Sequence, residues 1–243
     1  MDNLDILSFE KHGELKVDAR PAEAYGDHVN RALAFATEFD ELHKEFPIVF
    51  HKDPATGEFQ AHVILGFDKN ENLFLGDGVW LSDYVPAALV RGPFIIGVQN
   101  QDGDDDEHKE SLILVDTDNP RVGVEGGEPV FLPDGGNTAY LESVIRALQV
   151  IDRGADFEKT LSSSLESMNL LEPVSIDLTL SNIEQVNLRG YYTINTATLA
   201  ELDGTSLERL HKSGVLRLVY FALSSLDNLH KMIEMKAGRA ALA

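Results

Sequence analysis

Short apolar segments separated by turn residues constrain the fold of this chain more than any other feature of its sequence. Three of them lie between Ile48 and Leu75, with Gly, Asp and Asn residues between them. Such segments are typical of short strands, and connections of this length favour antiparallel pairing. Further strands are predicted at 94–98 and 112–115, with an edge strand at 129–132.

Apolar residues at steps of three and four predict a helix in the first half of the chain. The helix is predicted over 22–45 and ends before Pro47, because proline cannot continue a helix. A short helix is predicted over 81–89. The apolar stripe of the first helix consists of Val29, Leu33, Ala36, Phe39, Leu42 and Phe46.

The middle of the chain predicts a helical pair followed by a hairpin. The two helices are predicted over 141–151 and 157–168, with Gly154 ending the first of them. Alternating apolar residues then predict a strand over 176–180, and the segment 188–194 is predicted to be its hairpin partner.

The C-terminal segment is predicted to be helical, with a short helix near 207–210 that breaks at Gly214 and a long one over 216–233. These elements predict an α+β fold in which helices pack on a curved, mainly antiparallel sheet. We expect a mainly β half with an N-terminal helix over 1–135 and a mainly helical half with a β-hairpin over 136–243. One continuous domain is the alternative.

Composition excludes several classes of function. With 20 basic and 41 acidic residues, the net charge of −21 repels a phosphate backbone, so we expect no nucleic-acid partner. The absence of cysteine excludes disulfides and thiolate metal sites. No apolar run is long enough to cross a bilayer, and the N-terminal residues lack the pattern of a secretory signal. We therefore expect a soluble cytoplasmic protein without membrane insertion.

Local motifs indicate neither a cofactor nor a metal. The glycines do not match phosphate-binding loops, so no cofactor is predicted. Asp40 and His43 lie one helical turn apart, a spacing used in di-metal bundles, but no second helix carries the matching pair. The acidic run 102–107 lacks both the glycine and the terminal glutamate of a calcium loop. We predict no bound metal.

The segment around the single tryptophan is a candidate binding site. Trp80 and Tyr84 are one turn apart on the predicted short helix, and Arg91 follows just beyond it. We expect the three side chains to line a concave surface shared with the strand that begins at Phe94. Such residues suit an amino-acid-like ligand or an acidic partner terminus. The alternative makes Trp80 and Tyr84 core residues.

Three further residues are candidates if the site is assembled from distant positions. His51 and His62 fall in apolar strand segments, where a hydrogen-bonded structural histidine is the ordinary interpretation. If these imidazoles converge in the fold, they become functional candidates together with Glu45. No catalytic motif is recognisable along the chain, so no catalytic residue is assigned.

Several short phrases in order along the chain resemble the SapC-like family of bacterial proteins, and together they span most of the sequence. The phrases are EFPIVF at 45–50, LGF at 65–67, ENLF at 71–74, Trp80 with YVPA at 84–87, RGPF at 91–94, GYYTI at 190–194 and SGVL at 213–216.

The resemblance implies little about activity and carries no catalytic residues with it. Members of the family are similar to proteins found beside halogenase-like enzymes, cupin-type proteins and TonB-dependent receptors. The leading hypothesis is therefore an accessory or binding protein in a nutrient-uptake or metabolite-modification locus, with a protein partner or a small ligand. An enzyme with a converging site and a surface-layer structural protein are the alternatives, and a homo-oligomeric state is left open.

Overall fold

A computed structural model describes residues 3–100, 109–174, 177–180, 184–187 and 190–242. The chain forms two compact units, each built from two separate segments. The first unit comprises Met1–Asp27 and Ala87–Asp152, and the second comprises His28–Pro86 and Arg153–Ala243. Every strand pairing among the described residues is antiparallel, which confirms the α+β prediction. The division into a mainly β half over 1–135 and a mainly helical half over 136–243 stays a prediction, as does its alternative of one continuous domain.

The first unit packs a three-stranded sheet and a short strand pair around an apolar core. The elements are β1 (Leu4–Ile6), α1 (Phe9–His12), β2 (Lys16–Val17), a 3₁₀ turn (Glu23–Tyr25), α3 (Ala87–Val90), β8 (Phe94–Asn100), β9 (Lys109–Asp116), β10 (Glu128–Pro129) and the first part of α4 (Ala139–Ser167). The sheet has the order β1-β9-β8, and β10 pairs with β2. The core consists of Val17, Phe94, Val115, Val130, Leu141, Val144 and Leu148.

The second unit contains a five-stranded sheet and most of the helices. Its elements are β3 (Arg31–Leu33), a 3₁₀ turn (Ala36–Glu38), α2 (Phe39–Glu45), β4 (Ile48–Lys52), β5 (Phe59–Ile64), β6 (Leu75–Gly76), β7 (Val79–Trp80), the remainder of α4, β11 (Leu171–Pro173), β12 (Asp177–Leu180), β13 (Glu184–Asn187), β14 (Tyr191–Ile194), α5 (Thr196–Ala200), α6 (Gly204–Lys212), α7 (Val215–Ser225) and α8 (Asn228–Leu242). The strands of the sheet have the order β11-β14-β4-β5-β3.

Helix α7 packs against the central strand of the five-stranded sheet. It packs against α2, β4 and β14. Ser225 at its end is fully buried, and its Oγ accepts a hydrogen bond of 2.8 Å from the backbone N–H of Ile48. The same hydroxyl donates to the carbonyl of Ala222, so both of its roles are satisfied inside the core. Helix α7 therefore covers part of the sheet, at β4 and β14, and β4 is fixed relative to the helix.

The helix predicted over 22–45 is wrong for most of its length. Only Phe39–Glu45 is α-helical, whereas Arg31–Leu33 forms an edge strand that pairs with β5. Gly26 adopts a φ of 80°, a left-handed conformation that ends the preceding turn. The apolar spacing is shared by both structures over this stretch, and tertiary pairing with β5 decides between them.

The predicted break at Gly154 is also wrong, because α4 runs without interruption from Ala139 to Ser167. The glycine has a packing role instead of a capping role. A Cβ built on Gly154 would lie 2.5 Å from Cβ of Phe35 and 2.9 Å from Oγ1 of Thr37. A side chain at this position would collide with the segment that leads from β3 into α2, so the glycine permits close approach of the backbone.

The remaining differences concern lengths and partners. The helix predicted over 81–89 is reduced to Ala87–Val90, and the strand predicted at 72–75 is reduced to Leu75–Gly76. The hairpin partner of β12 is β13, and β14 pairs instead with β4 and β11. Residues 176, 181–183 and 188–189 of that predicted hairpin lie outside the described residues. The break at Gly214 is confirmed, but two helices follow it.

We predict that Gly154→Ala destabilises the protein even though alanine is the better helix former. Overpacking costs typically about 1–3 kcal/mol, against a gain in helix propensity of about 1 kcal/mol. The net loss should be about 1 kcal/mol in the free energy of unfolding, measured by urea denaturation. Gly238→Ala in α8 is the matched control, because nothing lies within 4 Å of its built Cβ. That control should gain up to about 1 kcal/mol, and an equal gain at Gly154 would contradict the packing role.

Candidate functional site

Four polar side chains from four neighbouring strands meet on one face of the five-stranded sheet. Tyr191 on β14 pairs with His51 on β4, which pairs in turn with Gln60 on β5. His62 lies two residues along β5 and is therefore on the same face, as is Arg31 on the edge strand β3, whose residue Leu33 pairs with His62. We call Arg31, His51, His62 and Tyr191 the histidine cluster.

The side chains of the histidine cluster are in contact with one another. The centroid of the His51 ring is 5.8 Å from that of His62 and 5.8 Å from that of Tyr191. The guanidinium of Arg31 lies 5.7 Å from the centroid of the Tyr191 ring, and its NH1 donates a 3.0 Å hydrogen bond to the Tyr191 hydroxyl. Arg31 is exposed, His51 is half-buried, and His62 and Tyr191 are buried. The cluster therefore runs from solvent into the sheet.

Burial fixes the protonation state of His62. Desolvation lowers the pKa of this imidazole to about 4, and the neighbouring Arg31 and His51 add to the shift. The ring Nδ1 lies 3.3 Å from the carbonyl oxygen of Gln60, which can only accept, so Nδ1 carries the proton. The Nε2 atom of the neutral ring is then a hydrogen-bond acceptor.

The histidine cluster keeps hydrogen-bonding capacity that the described residues do not use. Arg31 is the donor to Tyr191, but it forms no ion pair with a carboxylate in the described part of the chain. Thr193 follows Tyr191 on the same face of β14. Its Oγ1 is buried and has no hydrogen-bond partner among the described residues. A planar guanidinium and an imidazole acceptor can together bind a ligand with one anionic and one donor group.

Trp80 and Tyr84 lie in the second unit. The helix predicted over 81–89 does not align their side chains, because only Ala87–Val90 is helical. Trp80 is in β7, and its Nε1 donates a 3.1 Å hydrogen bond to the carbonyl of Tyr84. The hydroxyl of Tyr84 donates a 2.8 Å hydrogen bond to the buried Glu38. Burial and the Glu38 carboxylate raise the pKa of Tyr84 well above its ordinary value. Both polar atoms are thus engaged by the protein itself.

Arg91 and Glu45 have internal partners as well. Arg91 belongs to the first unit, where its NH1 donates a 3.1 Å hydrogen bond to the carbonyl of Phe94. Burial lowers the pKa of this guanidinium below its ordinary value. Glu45, in the second unit, accepts a 2.7 Å hydrogen bond from Lys231. A concave surface built from Trp80, Tyr84 and Arg91 stays a prediction.

Of the residues considered as metal ligands, His43 makes contacts within the protein, and the acidic run falls outside the described residues. The His43 ring stacks on Phe221 at 4.4 Å, and its Nδ1 lies 3.1 Å from the Ser224 hydroxyl. The acidic residues 102–107 lie outside the described part of the chain. Within that part, no three His, Asp or Glu side chains converge as metal ligands. No helix there is long and apolar enough to cross a membrane.

The sequence pattern identifies the two histidines of the cluster but misses Arg31 and Tyr191. Its helical spacing predicts Arg31 on a helix, although the residue lies on the edge strand. Tyr191 is 160 residues away from Arg31, so no local pattern links them. The available signal is the phrase GYYTI at 190–194, whose aromatic and β-branched residues are typical of a strand.

A protein-family model described as SapC matches residues 7–232, which is nearly the whole chain. The match covers most of both units and all four residues of the histidine cluster. No curated protein and no solved structure matches the chain.

We predict that His62 makes the stability of the protein depend on pH. A histidine whose pKa is lowered on folding resists protonation in the native state, so its contribution to stability is lost as the pH falls. The loss should occur between about pH 6.5 and about pH 4 and amount to at most about 3 kcal/mol. In chemical denaturation, the stability advantage of the wild type over His62→Gln should shrink across this range. The exposed His211→Gln is the control, and an identical pH profile for both variants would contradict the prediction.

Proposed function

The chain belongs to the SapC family, and we propose that it is a binding protein that takes a small amino-acid-like ligand at the histidine cluster. The observation that carries the proposal is the environment of Arg31. Its guanidinium is exposed at the edge of a sheet, hydrogen-bonded to the Tyr191 hydroxyl and without a carboxylate partner in the described part of the chain. An arginine held in this way is oriented for a carboxylate from outside the protein.

The partners around Arg31 favour a ligand that also carries a hydrogen-bond donor. The Nε2 acceptor of His62 lies on the same face of the sheet and stays unprotonated at neutral pH. An α-ammonium group of the ligand can donate a hydrogen bond to this nitrogen. The Tyr191 hydroxyl accepts from Arg31 and keeps its own proton for a ligand oxygen. One carboxylate and one ammonium group therefore match the polar groups of the cluster.

The net charge of the protein supports a zwitterion over a multiply charged anion. At −21 the chain repels anions at long range, and the repulsion grows with the charge of the ligand. A zwitterion has no net charge, so it meets little of this repulsion. Its carboxylate interacts with Arg31 only at short range.

An enzyme is the second candidate, and the contact between His51 and His62 favours it. Two imidazoles 5.8 Å apart beside a phenol are groups that transfer protons in many active sites. Conversion of a bound ligand into a product by the purified protein would distinguish an enzyme from a binding protein.

The other hypotheses concern the location and the partners of the protein. If it is a surface-layer component, it should be recovered outside the cytoplasm on fractionation. The accessory role beside halogenase-like enzymes and receptors rests on the family resemblance alone.

We predict that Arg31→Met weakens the binding of amino-acid-like ligands. The purified protein would be titrated with a panel of free amino acids and their amide derivatives, with binding followed by calorimetry. A hydrogen bond to a charged group contributes about 1.5–3 kcal/mol, so the affinity should fall by about ten- to a hundredfold. Amidation of the ligand carboxylate should reduce wild-type binding by a similar factor.

Arg217→Met is the matched control for this experiment. Arg217 is also an exposed arginine of the second unit, and its guanidinium lies 5.8 Å from the centroid of the Phe221 ring. The control loses the same charge and the same type of ring contact, so it should bind like the wild type. If both variants bind equally weakly, the loss of affinity results from the change in net charge and not from the contacts of Arg31. Binding that Arg31→Met leaves unchanged would refute the proposed site.

A further inference from the structure

The first unit contains an apolar cleft with an acidic rim, between helix α1 and the segment that follows β10. The cleft has a volume of about 670 Å³, which is within the range of sites for small molecules. Its lining includes Phe9, Glu10, Lys11, Glu14, Phe131 and Pro133. None of these residues belongs to the histidine cluster, whose four residues are all in the second unit.

Two aromatic rings form apolar walls of this cleft. The ring centroids of Phe9 and Phe131 are 5.7 Å apart, and the ring planes meet at 80°. Rings at such an angle can contact a single ligand from two sides. The face of an aromatic ring carries partial negative charge, so ring faces attract cations.

The ring of Phe9 is held in place although much of it is exposed. The residue is 42% exposed, and Leu132, next to Phe131, is 44% exposed, so the apolar surface extends beyond a single side chain. A Cβ built on Gly13 would lie 3.2 Å from Cε2 of Phe9, and one built on Gly135 would lie 3.3 Å from its Cδ1. The two glycines thus leave room for the ring. A wall positioned before the ligand arrives lowers the entropic cost of binding.

The charged side chains at the rim favour a cation. Glu10 and Glu14 are exposed, and neither forms an ion pair in the described part of the chain. The ammonium group of Lys11 lies 2.6 Å from Oδ2 of Asp5, so its charge is already balanced. Two carboxylates therefore remain beside the aromatic walls. The net charge of −21 adds an attraction for cations at long range.

We propose that this cleft binds a small organic ammonium ion. The apolar substituents of the ligand pack against Phe9 and Phe131, and its positive charge lies against the ring faces and near the carboxylates of Glu10 and Glu14. A metal ion is a poorer match, since hard cations require several oxygen ligands and no three His, Asp or Glu side chains converge as metal ligands within the described residues. An anion would be repelled by both carboxylates and by the ring faces.

The test is a titration of the full chain with choline chloride at constant ionic strength, followed through the amide resonances of Gly13 and Gly135. Choline should give saturable shifts at both amides. The neutral isostere of choline, in which carbon replaces the nitrogen, has the same shape without the charge. It should bind about tenfold more weakly, because it lacks the attraction to the rings and to the carboxylates.

Replacement of Phe9 tests the aromatic wall. Phe9→Leu removes one ring but keeps an apolar side chain, and it should weaken choline binding by about fivefold. Phe9→Tyr keeps the ring and should bind like the wild type. Tyr220→Leu is the matched control, because Tyr220 is an exposed aromatic residue of the second unit and its loss should leave choline binding unchanged. Choline binding that Phe9→Leu leaves unchanged would overturn the proposal.

The acidic rim keeps the test decisive if Phe9→Leu fails to fold, because Glu10 and Glu14 are exposed. The double variant Glu10→Gln with Glu14→Gln should weaken choline binding by about fivefold and leave binding of the neutral isostere unchanged. Glu23→Gln with Glu201→Gln, two exposed acids outside the cleft, changes the net charge equally and should bind like the wild type. Equal losses in the two double variants would overturn the proposal, as would a choline titration without saturation or equal affinities for choline and its isostere.

Discussion

The antiparallel register of β4 against β5 and β14 is the constraint on which the candidate site depends. Pairing of His51 with Gln60 and with Tyr191 places both histidines and the tyrosine on one face, while Phe50 points to the opposite face and is buried. A slip of one residue would exchange the two faces, because side chains alternate along a strand. The buried contact of Ser225 with the backbone of Ile48 holds β4 in place. The apolar core and the polar cluster are therefore two results of one register.

The sequence predicted the elements whose apolar pattern has one interpretation, and it failed where two structures share a pattern. Short apolar segments bounded by turn residues identified β4 and β5, and Gly214 correctly marked a break between helices. The stretch around Arg31 satisfies helical spacing, and only the pairing with β5 makes it a strand. The cluster was predictable in part for the same reason. His51 and His62 are close in sequence, but Arg31 and Tyr191 meet through tertiary structure alone.

Glycine illustrates why local reasoning stops at the boundary of an element. A glycine within a helical pattern predicts a break when only the sequence is considered. Gly154 instead lies within a continuous helix. Its lack of a Cβ serves the packing, because it lets Phe35 approach the helix. The loss of helix propensity is about 1 kcal/mol, which close packing of a neighbouring segment can offset. The two roles of glycine differ in what lies across from it, and this information is absent from the local sequence.

The histidine cluster shows how an acidic chain can present a binding site for a carboxylate. A chain with a net charge of −21 can attract a carboxylate only where cations are left without internal acidic partners. Arg31 is such a cation in the described part of the chain, and burial keeps His62 neutral, so the proposed site combines one positive charge with one acceptor. This arrangement limits the charge that must be buried, because a neutral imidazole costs far less to desolvate than an imidazolium. Under the proposed function, binding of a carboxylate by an acidic protein therefore follows from pairing one exposed cation with one buried neutral ring.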